Sequence, residues 1–285
     1  MNQQELVNYL ERIYPLDLTE EFDNTGLLIG ARNREIQKVM TCLTITAETI
    51  DEARKKKADL IVSHHPFPFH AGKRWTTDTP NGRMLLALME AKIAVFSPHT
   101  AHDSAFFGIN EQLAEMLDLM NIAPLIPSRV IANENMLDDL SNVGGDLIRR
   151  IGQPLGSGRI GKLKKAVSLK ELAKKILHLL HRDSLQIVGP DNKKIQIIAI
   201  GCGAAGTFIE EAARQKADLL LLGETHFHPC LEAQALELAL ILPGHYATER
   251  FAMETMARRI AHRFPDLKIW ASKDEREPIR FFTGS

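Results

Sequence analysis

Apolar and polar positions along this chain fall into short blocks whose period changes from block to block. Leu6, Tyr9, Leu10 and Ile13 recur at helical spacing over residues 3–13, and Pro15 stops the pattern. Residues 36–45 predict a strand, and residues 46–57 a helix with Ile50 and Ala53 on one face and lysines at its end. The apolar run from Ala58 to Val62 predicts a buried strand that breaks into the polar loop Ser63-His64-His65-Pro66. Residues 82–92 predict another helix, and Ile93–Phe96 another strand ending at Pro98-His99.

The second half repeats this order. Residues 195–200 predict a strand, 207–216 a helix, and 217–222 a strand closing on Gly223-Glu224-Thr225-His226. A helix over 231–238, a strand over 239–242 and the loop Pro243-Gly244-His245 follow, with a further helix expected from His245 through about residue 260. The repeat is visible in letters: Ile50 through Ala58-Asp59-Leu60 lines up with Ile209 through Ala217-Asp218-Leu219. His99 and Asp103 share their spacing with His245 and Glu249. Alternating strands and helices predict an α/β fold of two similar lobes with mixed, largely parallel sheets, related by an internal duplication. The expected division is an N-terminal lobe over 1–125, a connection over 126–165 and a C-terminal lobe over 166–285.

Composition narrows the function classes. The 285 residues, 45% apolar and 25% charged, suffice for one large or two small domains. A net charge of −1 gives no basic surplus of the kind nucleic-acid binding uses, so nucleic acid is not indicated. No apolar run approaches membrane-spanning length. The opening Met-Asn-Gln-Gln-Glu lacks the basic start of a secretory signal. Cys42, Cys202 and Cys230 are far apart and form no CxxC pair, which points to a reducing cytoplasm and away from cysteine as a metal ligand.

The chemistry concentrates in three clusters that each follow a predicted strand: His64-His65, His99 to Asp103, and His245 to Glu249. In open α/β sheets ligands gather beyond the carboxyl ends of strands. His64 and His65 stand in a loop where both rings can turn to one cleft; the plainer reading is a polar loop with one capping histidine. His245 and Glu249 are four apart, a chelating geometry on a helix or an ordinary surface pair. His102 is read as lying behind a ligand or as exposed. Mixed imidazole and carboxylate donors suit Zn, Mn, Fe or Ni. Two such ions a few Å apart clamp and activate one water, and their excess positive charge favours a small anionic substrate such as a nucleotide. Glu224, His226 and His228 offer an acid–base group or a substrate contact, or are only an exposed polar loop. Gly156-Ser157-Gly158-Arg159-Ile160-Gly161 satisfies GxGxxG, but no clear strand precedes it and a basic stretch follows, so it reads as a flexible turn. Trp75, Phe67 and Phe69 flank a loop holding Gly72, Lys73 and Arg74, a cleft cover or plain packing.

Ser63-His64-His65-Pro66, His99-Thr100-(x2)-Asp103 and Gly244-His245-Tyr246-Ala247-Thr248-Glu249 resemble the signatures of the Nif-three-like family, whose members are often labelled GTP cyclohydrolase I type II. Glu21 to Gly30, the Gly156–Gly161 turn and Pro278 to Phe282 support the resemblance, which spans almost the whole chain. It implies two α/β lobes with a dinuclear metal site between them, and a homohexamer built as a trimer of dimers. Carried over by motif, the ligands are His64, His65, Asp103, His245 and Glu249, with Glu249 bridging two divalent ions (Zn, Fe, Mn or Ni). His99 stands beside the metals, and His99 or His226 is the expected proton shuttle. The chain departs from the family pattern at Thr44, where an Asp is usual, and at Ala101-His102, where Asn-Leu is common. The resemblance implies a metal-dependent hydrolase of a nucleotide or phosphorylated small molecule, with ring opening of GTP as the labelled reaction. A phosphoesterase or nuclease, and a non-enzymatic metal-binding assembly or regulatory protein, are the alternatives.

Overall fold

The computed structural model describes residues 1–136 and 151–280. Residues 137–150 of the expected connection, and Phe281 and Phe282 of the C-terminal motif, lie outside the described residues. The helices are α1 (Gln3–Ile13), α2 (Ala47–Lys56), α3 (Pro80–Glu90), α4 (His99–Ser104), α5 (Ile109–Met116), α6 (Leu169–Leu179), α7 (Ile209–Arg214), α8 (Phe227–Ala235), α9 (His245–Glu249) and α10 (Ala252–Arg263). The strands are β1 (Gly26–Ile29), β2 (Lys38–Cys42), β3 (Leu60–Ser63), β4 (Ala94–Ser97), β5 (Met120–Ala123), β6 (Ile126–Ile131) and β7 (Pro154–Ser157), then β8 (Arg159–Ser168), β9 (Gln186–Val188), β10 (Lys194–Gly201), β11 (Leu219–Leu222), β12 (Ala239–Leu242) and β13 (Lys268–Ala271). The mixed α/β class expected from the sequence is what the chain adopts.

The first of two compact units comprises the described residues of 1–102, 133–151 and 251–277. Its sheet has the order β1-β4-β3-β2-β13, with β13, β2, β3 and β4 parallel and β1 antiparallel at the edge. β3 and β4 are buried at every position, as parallel strands covered on both faces must be. Met40, Ile50, Ala53, Ile61, Leu88 and Val95 form part of the core beside this sheet. Thr46 starts α2 with a capping box whose reciprocal partner is Thr49.

The second unit comprises the described residues of 103–132, 152–250 and 278–285. Its sheet runs β5-β8-β10-β11-β12-β9, parallel through β10, β11 and β12 and antiparallel at β5, β8 and β9. β6 and β7 form a separate antiparallel pair.

The linear division expected at 125 and 165 does not coincide with these units. β13 pairs with β2, so a segment late in the chain completes the early sheet. β5 ends before the expected connection and β8 begins inside it, yet the two pair with each other in the second sheet. The expected helix from His245 is also two helices, α9 and α10, with Arg250 and Phe251 between them. The GxGxxG stretch is a turn between strands: Gly156 and Ser157 end β7, Gly158 turns, and Arg159 to Gly161 open β8. Gly158 takes φ 61°, where a Cβ would lie 2.8 Å from the Ile200 carbonyl oxygen. That turn buries Arg159, whose guanidinium donates to Glu111 Oε2 at 2.5 Å and to the carbonyls of Gly156, Gly158 and Ala105. Its cation is therefore spent on the fold.

The two units repeat one local design. After α2, Lys57 turns left-handed at φ 57°, and after α7 Lys216 does so at 58°. Asp59 Oδ2 accepts from the amides of Gln37 and Lys38 at 2.8 and 2.9 Å. Asp218 Oδ2 accepts from Gln196 and Ile197, both at 2.8 Å. Each aspartate thus bridges two adjacent strands at their entry, and the polar loops of the site lie at the opposite, carboxyl ends.

Candidate metal centre

In the first unit the loop after β3 is pinned by its backbone. The amides of His64 and His65 donate to the carbonyls of Cys42 and Leu43 at 2.9 and 2.8 Å. Ser97 Oγ donates to the His64 carbonyl at 2.6 Å, and Ser63 Oγ to that of His65 at 2.8 Å. With the main chain fixed, the two rings stand 5.0 Å apart, tilted by 51°. His99 opens α4 directly beyond β4, at φ 29°, a left-handed conformation that non-glycine residues seldom adopt and that is characteristic of functional sites. Its ring is 5.2 Å from that of His64 and 5.6 Å from that of His65. One nitrogen from each of these three histidines lies within 4.8 Å of the other two.

Two of the rings are held from behind. His99 Nδ1 is 2.7 Å from Asp23 Oδ1, and His65 Nδ1 is 2.8 Å from Thr44 Oγ1. Asp23 is a fully buried side chain that also accepts from the Thr100 amide and hydroxyl. Burial works to raise its pKa, but the bonds from His99 and Thr100 outweigh it and hold the carboxyl below its ordinary value. His102, one of whose expected placements was exposed, is fully buried with its ring 4.4 Å from that of Tyr14. The next turn of α4 packs it inward.

In the second unit, Gly244 (φ 108°) lets the chain turn sharply from β12 into α9. His245 Nε2 is then 3.0 Å from Glu249 Oε2, one helical turn along. His245 Nδ1 is 2.9 Å from Glu224 Oε1. Burial depresses the His245 pKa, yet the hydrogen bonds and charges of Glu249 and Glu224 prevail and push it up to about 9. Glu249 is nearly buried and fits only because residue 203 is glycine: a Cβ there would lie 2.2 Å from Glu249 Oε1. Asp103 is the first residue of this unit. Its carbonyl accepts from Asn110 Nδ2 at 3.1 Å, and Asn110 Oδ1 accepts from the Cys202 amide at 2.8 Å. Desolvation, then the Asp103 and Glu249 carboxylates, push the Cys202 thiol well up, so it stays a thiol at neutral pH.

The structure thus brings His64, His65 and His99 together in one unit, and His245 and Glu249 in the other. His226 is exposed at the N-cap position of α8 and makes no side-chain capping bond. Glu224, two residues earlier, is the group that reaches His245. Asp23 and Asn110 carry roles that spacing alone did not reveal; for Asp23 the available signal was its place in the Glu21–Gly30 stretch. The donor chemistry fits a first-row divalent ion: imidazole nitrogens converge within a few Å, and a carboxylate stands beside a fourth imidazole.

An α/β protein whose parallel strands end in clustered histidines, with a histidine–carboxylate pair at the end of a second parallel set, belongs to the class of candidate metal-binding proteins. The chain is a member of the Duf34/NIF3 (NGG1p interacting factor 3) family, whose model matches residues 1–278. A Clostridium perfringens relative described as a GTP cyclohydrolase 1 type 2 homolog is 30% identical over 282 residues, covering 99% of this chain and 100% of its own. A Schizosaccharomyces pombe protein described as a NIF3 homolog is 29% identical over 286 residues, covering 96% of each chain. The crystal structure of a Bacillus cereus protein related to NIF3 shares the fold at a TM-score of 0.87 and 23% identity over 99% of both chains.

Proposed function

We propose that this protein is a dinuclear metal-dependent hydrolase of a nucleotide or other phosphorylated small molecule. The observation that carries this reading is the convergence of His64, His65 and His99 nitrogens within 4.8 Å at the ends of parallel strands. His64, His65, Asp103, His245 and Glu249 are the residues that would hold two divalent ions. Such ions supply Lewis acidity and lower the pKa of a water far enough for attack at neutral pH.

The chain's own residues do the rest. His99, its ring oriented by Asp23 at Nδ1, is the residue that would take a proton and return it to the leaving group. Phe69 stands with its ring 6.1 Å from that of His99, and the exposed His70, Lys73 and Arg74 follow it in the same loop. An aromatic edge and the cations of Lys73 and Arg74 suit a base bearing phosphates. His226 is a second, exposed candidate for proton transfer. GTP is the first substrate to try, because relatives are described as GTP cyclohydrolase 1 type 2 homologs. The working form is a homohexamer in a reducing cytoplasm.

Elemental analysis of the purified chain and of a His64→Ala/Glu249→Ala double variant tests this reading. The expected result is about two ions per wild-type chain, lost in the variant, with hydrolysis in a nucleotide screen that disappears with the metal. A wild type that takes up no Zn, Mn, Fe or Ni sinks the hydrolase reading and leaves partner binding as the function to pursue.

A further inference from the structure

Glu224 occupies a position that recurs in both units. It is the second residue beyond β11, as His65 is the second beyond β3 in the repeated design of the first unit. His65 offers a ring to the histidine cluster, whereas Glu224 turns its carboxylate to His245 Nδ1 at 2.9 Å. An ionised carboxylate only accepts hydrogen bonds, so this contact places a proton on Nδ1. His245 Nε2 faces Glu249, 3.0 Å from its Oε2, and is the nitrogen whose proton a metal ion would displace.

The same arrangement recurs in the first unit, where Asp23 holds Nδ1 of His99 and Thr44 holds Nδ1 of His65. Across the two units, three histidines therefore have Nδ1 engaged by an oxygen. Glu224 is about half exposed, its side chain at 49%, so it adds little to the core, and an ion pair at that exposure contributes little to stability. Its backbone is nonetheless fixed: the Glu224 amide donates to the Gly203 carbonyl at 3.0 Å, and Gly203 is the residue whose missing side chain admits Glu249.

We infer that Glu224 is a positioning residue, which fixes the ring of His245 so that Nε2 and the Glu249 carboxylate are presented together to a metal ion. This deepens the metal-centre reading above and rests on it for the ligand, though not for the orientation of the ring. Histidine ligands are commonly oriented in this way by a carboxylate on the far nitrogen, and loss of that partner weakens metal binding by about 10- to 100-fold.

The test titrates Zn²⁺ alone, against a competing chromogenic chelator, into wild type, Glu224→Ala, Glu224→Gln and a control, Glu232→Ala, on the exposed side of α8. Crystal structures of metal-free wild type and Glu224→Ala give the ring orientation of His245 directly. The expected outcome is a loss of about 10- to 100-fold in Zn²⁺ affinity for Glu224→Ala. Affinity recovers in Glu224→Gln, whose amide oxygen accepts the same bond, and Glu232→Ala behaves as wild type. The His245 ring turns away in metal-free Glu224→Ala. Wild-type affinity in Glu224→Ala, or lost affinity with the ring unmoved, overturns the positioning role. If the wild type itself binds no Zn²⁺, the metal reading falls, and the ring orientation in the metal-free crystals decides the role of Glu224 by itself.

Discussion

A methyl group added at Gly203 would meet Glu249 Oε1 at 2.2 Å, at a backbone φ of 66°. The strained φ costs about 1–2 kcal/mol, which the chain survives, but the carboxylate has to move. Gly203→Ala is expected to remain folded in a thermal melt while losing most of its Zn²⁺ affinity; unchanged affinity would remove Glu249 from the ligand set. At this scale the sequence was informative where chemistry sits in short motifs. His64-His65 and His245-to-Glu249 stand out because strand ends and a helical turn bring neighbours in sequence together. Asp23 did not stand out as the partner of His99, because 76 residues separate them and no periodicity links a loop to a helix start. The burial of His102 was equally invisible, since it depends on Tyr14 arriving from a distant helix end.

Among the elements, α2 shows how a helix is locked by one side chain. Glu52, 2% exposed, accepts from Lys56, Trp270 Nε1, Ser272 Oγ and the amides of Lys273 and Asp274. Burial works against its ionisation, but the bonds from Lys56, Ser272 and the two amides hold the carboxyl down at about 2, against an ordinary 4.5. A folded-state pKa below the unfolded one stabilises the protein above about pH 4.5, and that contribution is lost as pH falls toward 2. The shift corresponds to about 3 kcal/mol. Urea denaturation should find Glu52→Gln less stable than wild type by about that amount at pH 6, with the gap closing toward pH 2. A constant gap would place the contribution elsewhere. The repeat of Ala58-Asp59-Leu60 in Ala217-Asp218-Leu219 was legible in letters, and the structure gives its reason: each aspartate caps the entry of two parallel strands. The edge strands were not legible. β1, β5 and β9 are short, and their partners are set by pairing across long stretches of chain.

Across the whole molecule, the sheet of the first unit depends on residues 251–277. Thr41 Oγ1 donates to the Met253 carbonyl at 2.8 Å, and Glu275 accepts from the amides of Leu43 and Thr44 at 3.0 and 2.7 Å. Thr44 in turn holds His65. A chain ending at residue 250 leaves β2 as a bare edge with its covering helix gone, and is expected to lose slow amide exchange throughout β2 and β3. Retained protection there would show the first unit to be self-sufficient. A division read along the chain cannot see this, because β13 is four residues long and its place is decided only by pairing with β2. The same order of strands has a consequence during synthesis. At roughly 5–20 residues per second, residues 1–102 wait on the order of 10–30 s for their last strand to leave the ribosome. The second unit needs nothing beyond residue 250 for its main sheet. The half of the protein made first is thus the half finished last, and its unpaired β2 edge is what a nascent-chain chaperone would have to shield.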